Sequence, residues 1–132
     1  MVLVCGVTNM KYPKKTFTVE LLPIKMTVHV CTFDELPRAL RDTIMESELD
    51  GATAVTYWDS RLRPMLFHVW FNIDVDYDIL TIVHEATHVV LRICETYSID
   101  TTASPEVAPT LMEWVYEKIN SVANIEEYNG KA

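Results

Sequence analysis

Apolar and polar residues alternate through Thr16-Phe17-Thr18-Val19-Glu20-Leu21 and again through Met26-Thr27-Val28-His29-Val30. A period of two over β-branched residues predicts one strand across residues 16 to 31, or two strands broken at Pro23. Thr32 followed by Glu35 forms a capping box, and Cys31 with Leu36 supplies the apolar pair of a hydrophobic staple. A helix from about Phe33 to Glu48 is expected next, with Pro37 tolerated near its first turn. Asp50-Gly51 is a turn signal.

Ala52 to Trp58 and Met65 to Asn72 read as two more strands, joined by a polar turn around Asp59 to Pro64 into an antiparallel hairpin. The pattern then changes period. Ile79, Leu80, Ile82, Val83, Ala86, Val89, Val90 and Ile93 surround a helix that starts near Asp76 or Asp78 and runs to about Thr96. A last helix begins around Ser104-Pro105 and extends to about Ala123, ahead of a polar tail. Strand, helix, strand, strand, helix, helix predicts a single α+β domain over residues 1 to 132. Its helices are expected on one face of a small, mostly antiparallel sheet.

Composition narrows the function classes. The chain has 132 residues, enough for one core, and a net charge of −8 that argues against a nucleic-acid surface. Lys11, Lys14 and Lys15 form the sole basic cluster, too short to alter that. Only three glycines occur, which excludes a glycine-rich phosphate loop. Cys5, Cys31 and Cys94 make no CxxC pair, so a thiolate zinc knuckle is excluded, and free thiols suit a reducing cytoplasm. No 18-residue apolar run and no basic leader are present, so neither a membrane span nor a signal peptide is expected.

The chemistry concentrates in His84-Glu85-Ala86-Thr87-His88. Residues four apart on a helix share a face, so both imidazoles can aim at one ion, and Glu85 sits about 100° around from His84. Imidazole nitrogens suit zinc, zinc acidifies a water, and Glu85 can take that water's proton. Two histidines and a glutamate within so apolar a helix need compensation, and a metal is the simplest. The competing reading makes His84 and His88 hydrogen-bonded core histidines.

A catalytic zinc site takes a third protein ligand. Glu95 lies about 10 Å along the same helix from His88 and cannot easily fold back. Asp100 needs a tight loop. Glu106 and Glu113 lie on or near the last helix, which can pack antiparallel beside the motif. Glu106 is favoured by its distance along the chain and Glu113 is the reserve, although Ser104-Pro105-Glu106 also reads as an ordinary helix start with a dipole-compensating acid.

At these residues the chain resembles the HExxH zincins, closest to the glutamate-ligated branch. From Thr81 to Ile119 it is similar to small bacteriophage-encoded metallopeptidases, which pair His-Glu-Ala-x-His with a later helix carrying Glu, an aromatic or small pair, and Trp. Here that second element is Glu106-Val107-Ala108-Pro109-Thr110-Leu111-Met112-Glu113-Trp114. The resemblance covers about a third of the chain, and its first motif is the more specific. It implies a minimal zincin-like domain in which His84, His88 and Glu106 bind Zn2+ and Glu85 is catalytic. Pro109 and Thr110 depart from the Ala and Tyr expected there, and a proline at that place can start the helix later and leave Glu106 in a loop. No third histidine follows in the metzincin spacing.

The resulting expectation is a zinc metallopeptidase acting on a peptide or protein in the cytoplasm, the host's if the chain is phage-encoded. The alternative is a zincin-like protein that binds a host protein around a structural zinc. Phe67 to Asn72 is the candidate edge strand for an extended peptide, with a place in the core sheet weighed equally. His68, Tyr97 and Tyr116 are weaker candidates for stabilising a transition state. Trp114 and Cys94 read as core.

Overall fold

The computed structural model describes residues 15–21, 24–59 and 65–123. Cys5, the lysines at 11 and 14, residues 60–64 of the expected turn and the polar tail lie outside them. Strand β1 (Lys15–Leu21) pairs antiparallel with β2 (Ile24–Cys31). Strand β3 (Ala54–Asp59) pairs antiparallel with β4 (Met65–Asn72), which is the expected hairpin. The two hairpins join through a parallel β2–β4 pairing, giving a four-stranded mixed sheet in the order β1-β2-β4-β3.

The predicted helix from Phe33 to Glu48 is two pieces. The Thr32–Glu35 box is present, with Glu35 Oε1 accepting from the Thr32 N–H and hydroxyl, both at 3.0 Å. It caps only a single 3-10 turn, Phe33–Glu35. Leu36 precedes Pro37, and the proline ring pushes it to the extended region at φ −69°, ψ 154°, so the chain leaves the helix there. Helix α1 (Arg38–Glu46) then starts afresh after Pro37.

Helix α2 (Ile79–Thr96) is capped by Asp78, whose Oδ1 accepts from the N–H of Leu80 at 3.0 Å and of Thr81 at 3.2 Å. Helix α3 (Val107–Ala123) begins two residues later than Ser104-Pro105 suggested. Pro109 falls in its first turn, where an N–H has no helical acceptor to lose. The Glu106 carbonyl takes the N–H of Thr110 at 3.1 Å, so Glu106 stands just ahead of the helix.

The fold is α+β, but its helices do not share one face of the sheet. Ile24, Met26, Val28 and Val30 of β2 and Met65, Phe67, Val69 and Phe71 of β4 face α2 and α3 in the main core. Cys31 and Trp70 point the other way and meet Leu36, Leu40 and Ile44 of α1 and the turn before it. The cause is connectivity: parallel β2 and β4 need a crossover, and the segment carrying α1 supplies it over the opposite face. Trp70 Nε1 donates to the Cys31 carbonyl at 3.0 Å, which satisfies a fully buried indole. On the main face, the Tyr77 hydroxyl donates to the Ala123 carbonyl at 2.8 Å and ties the approach of α2 to the end of α3.

Candidate functional site

Ile82, Ala86, Val89 and Ile93 are the buried stripe that seats α2 on the sheet. A turn of 100° per residue puts Glu85 and Arg92 on one flank of that stripe and His88 and His84 successively further out, toward solvent. That flank meets β3. Thr56 Oγ1 donates to Glu85 Oε1 at 2.6 Å, and the Arg92 guanidinium lies 4.4 Å from the centre of the Trp58 ring. Thr56 and Trp58 are two apart on β3, so both side chains leave the same face of the strand.

Glu85 is buried, at 5% exposure, while His84 and His88 are exposed. Burying a carboxylate is costly unless a donor meets it, and the Thr56 hydroxyl does so for one oxygen. The other oxygen, Oε2, lies 3.9 Å from His84 Nε2. The two imidazoles converge, with Nε2 atoms 3.1 Å apart, ring centres 4.7 Å apart and planes at 80°. Two nitrogens bound to zinc at its usual length and tetrahedral angle are about 3.3–3.4 Å apart, so a small opening of the pair accommodates the ion. The same pair can instead share one N–H···N hydrogen bond when neutral. As exposed side chains they are not the core histidines that the competing sequence reading required.

The third ligand is not assembled. Among the described residues, no three His, Cys, Asp or Glu side chains group as a metal cage. Topology gives the reason. Helix α3 packs on α2 and over β1 and β2, whereas the flank carrying Glu85 faces β3, at the other end of the sheet order. Glu106 at the entrance of α3 and Glu113 within it are both exposed. The fold therefore brings His84, Glu85 and His88 together but brings neither Glu106 nor Glu113 to them.

Two further expectations change. Phe67 to Asn72 is no edge: it lies in β4, paired on one side with β2 and on the other with β3. Among the described residues, the edge strand beside the motif helix is β3. His68 is also displaced from the site, because Phe67 and Val69 face α2 and the neighbouring side chain must point to the opposite face. There it meets His29, with His68 Nδ1 3.1 Å from His29 Nε2 and the rings stacked 5.3 Å apart. Tyr97 closes the far end of α2, about 13 Å along the axis from His88. Tyr116 packs against the main core from α3.

The His29–His68 pair carries a pH dependence. Burial first, and then the neighbouring His68, lower the His29 pKa from 6.5 to about 4, and burial lowers that of His68 too. Between pH 6.5 and 4 the unfolded chain therefore binds more protons than the folded one, and stability falls as pH falls. For His29 alone, full loss below pH 4 amounts to about 3 kcal/mol. Thermal unfolding of metal-free protein across pH 7 to 4 should show this slope, and His29→Gln should flatten it. An equal slope in His29→Gln would rule the pair out as its source.

Comparison of the chain with protein-family models, with curated proteins and with solved structures found no match in any of the three. No described helix is long and apolar enough to cross a membrane. Thr56, Trp58 and Arg92 are the site residues that sequence reasoning missed. Strand alternation places Ala54, Thr56 and Trp58 on one face, but only the β3–β4 register and the docking of α2 select Glu85 and Arg92 as their partners.

Proposed function

We propose that this chain is a zinc-dependent hydrolase of peptides, with His84 and His88 as ligands and Glu85 as general base. The observation that carries the reading is the division of labour within Glu85: Oε1 is held by Thr56 at 2.6 Å, and Oε2 lies 3.9 Å from Nε2 of His84. A carboxylate anchored by one oxygen presents the other in a set direction, as a proton acceptor of fixed position requires. Bound zinc would supply water activation and carbonyl polarisation. Glu85 Oε2 then accepts the water's proton and returns it to the leaving amine, while Thr56 keeps the carboxylate from swinging away.

The peptide is proposed to lie extended along the edge of β3 that no described strand covers, taking the role expected of Phe67 to Asn72. A cleft of about 310 Å³ also borders β3, lined by Val55 and Tyr57 and by Ile44 and Leu49 near the end of α1, but it opens on the α1 face of the sheet, opposite the histidine pair. Glu106 remains the third ligand implied by the zincin resemblance, and reaching the pair would require the entrance of α3 to move. Cys31 and Cys94 are both buried, and a reducing cytoplasm is the compartment proposed. The lack of an assembled third ligand among the described residues favours a second reading, in which the chain binds another protein without turnover; a structural zinc would need four protein ligands, two more than the histidine pair supplies.

Zinc titration with metal analysis tests the proposal. Wild type should hold one zinc per chain, and His84→Ala and His88→Ala should each bind it on the order of a hundredfold more weakly, about 3 kcal/mol per ligand. Glu106→Gln should weaken binding similarly if that side chain completes the set, and unchanged affinity would remove it. Wild-type protein without stoichiometric zinc would end the hydrolase reading.

A further inference from the structure

Arg92 is the one Lys or Arg of α2, and it stands four residues past His88, about 6 Å further along the axis. Two contacts hold its guanidinium. The Trp58 ring lies beneath it, 4.4 Å to the centroid, and Nη1 donates to Glu95 Oε2 at 3.0 Å. Stacking on an indole fixes the plane of the fork and leaves its edge donors directed outward. Only Nη1 is engaged in the Glu95 pair, and among the described residues the Nε and Nη2 donors have no hydrogen-bond partner and stay open to a ligand. The Arg92 side chain is 38% exposed and Glu95 71%, so the pair is a solvated one that an incoming carboxylate can replace or join.

We propose that Arg92 anchors a carboxylate of the peptide acted on at the histidine pair, an inference that rests on the hydrolase reading above. An extended peptide advances about 3.3–3.6 Å per residue, so an anion on Arg92 lies one or two residues from a carbonyl at His84 and His88. Trp58 makes the anchor rigid and links it to the strand that also holds Glu85. Two peptide groups offer this chemistry, a free C-terminal carboxylate and an Asp or Glu side chain. Arg92 suits both because its planar fork matches a carboxylate with two parallel hydrogen bonds.

The test reads binding apart from turnover. The Arg92 Nε–Hε resonance of 15N-labelled, metal-free protein is followed during titration with N-acetyl-Ala-Ala, with its C-terminal amide, and with N-acetyl-Ala-Glu-Ala amide. A saturable shift with the free acid but not the amide assigns a C-terminal anchor, and a shift with the glutamyl amide assigns a side-chain anchor. No saturable shift with either carboxylate overturns the proposal. Arg92→Lys, checked for folding by its thermal midpoint, keeps the charge but loses the fork and should bind the same peptide about ten- to a hundredfold more weakly. Affinity equal to wild type in that variant would also overturn the proposal. Parallel assays with zinc-loaded protein separate the two claims. Carboxylate binding without hydrolysis leaves the anchor standing and removes the hydrolase, while equal hydrolysis of the acid, its amide and the glutamyl and alanyl versions of the amide peptide does the reverse.

Discussion

Glu85→Gln is expected to keep zinc bound and to lower hydrolysis by about 10²- to 10⁴-fold, the usual range for a lost general base. The substitution is close to isosteric, and the amide oxygen still accepts the hydroxyl of Thr56, so the side chain should keep its place between α2 and β3. What it loses is the ability of the second oxygen to hold a proton. Neither zinc ligand is touched. The measurement is a pair: metal stoichiometry and rate on a peptide substrate, both with matched wild-type protein. Retained activity in Glu85→Gln would move the base elsewhere, and lost zinc would show that Glu85 ligates or organises the site. If wild type cleaves no peptide but its biological effect survives in Glu85→Gln, the binding reading takes over.

Phe67→Ala is expected to cost about 3–5 kcal/mol, the range for an aromatic ring deleted from a close-packed core. Phe67 is fully buried in β4, in the same core cluster as Ile82, Ala86 and Val89, and opposite Trp58 in the β3–β4 register. The cavity would open under α2, where the site is seated. For a domain of this size the loss corresponds to a thermal midpoint lower by about 10–20 °C. Leu80→Ala is the control, because Leu80 is 71% exposed and its truncation should stay within about 0.5 kcal/mol. Differential scanning calorimetry of the two variants decides it, and similar midpoints would mean that Phe67 is not packed as described.

Local signals in the chain were sufficient wherever one element decides the outcome by itself. The Asp78 cap, the course of α2 to Thr96 and the β3–β4 hairpin follow from capping chemistry, helical period and strand alternation. The convergence of His84 and His88 follows in the same way from a spacing of four, but their exposure does not, since so apolar a helix reads as buried on most sides. Long-range geometry was not legible. Nothing local makes β2 and β4 parallel neighbours, and that pairing sends α1 to the far face and buries both edges of Phe67 to Asn72. The same pairing removes His68 from the cleft and stacks it on His29. Leu36-Pro37 is the exception: the restriction that proline imposes on its predecessor is a local rule, and here it outweighed the apolar spacing that suggested one helix. The third ligand was the hardest inference, since distance along the chain says nothing about which flank of α2 the last helix will occupy.

The position of β4 between β2 and β3 has a consequence for how the native state opens. Its ladder bonds are shared with two strands and covered by helices on both faces of the sheet. Its amides can exchange with solvent only when most of the fold comes apart. Among the described strands β3 pairs with β4 alone, and its other contacts are with α1 and α2, so it can detach while the rest stays folded. Such a detachment carries Thr56 and Trp58 away from Glu85 and Arg92 together. The base and the arginine would thus gain or lose their supports in one local event, at a free-energy cost below that of global unfolding.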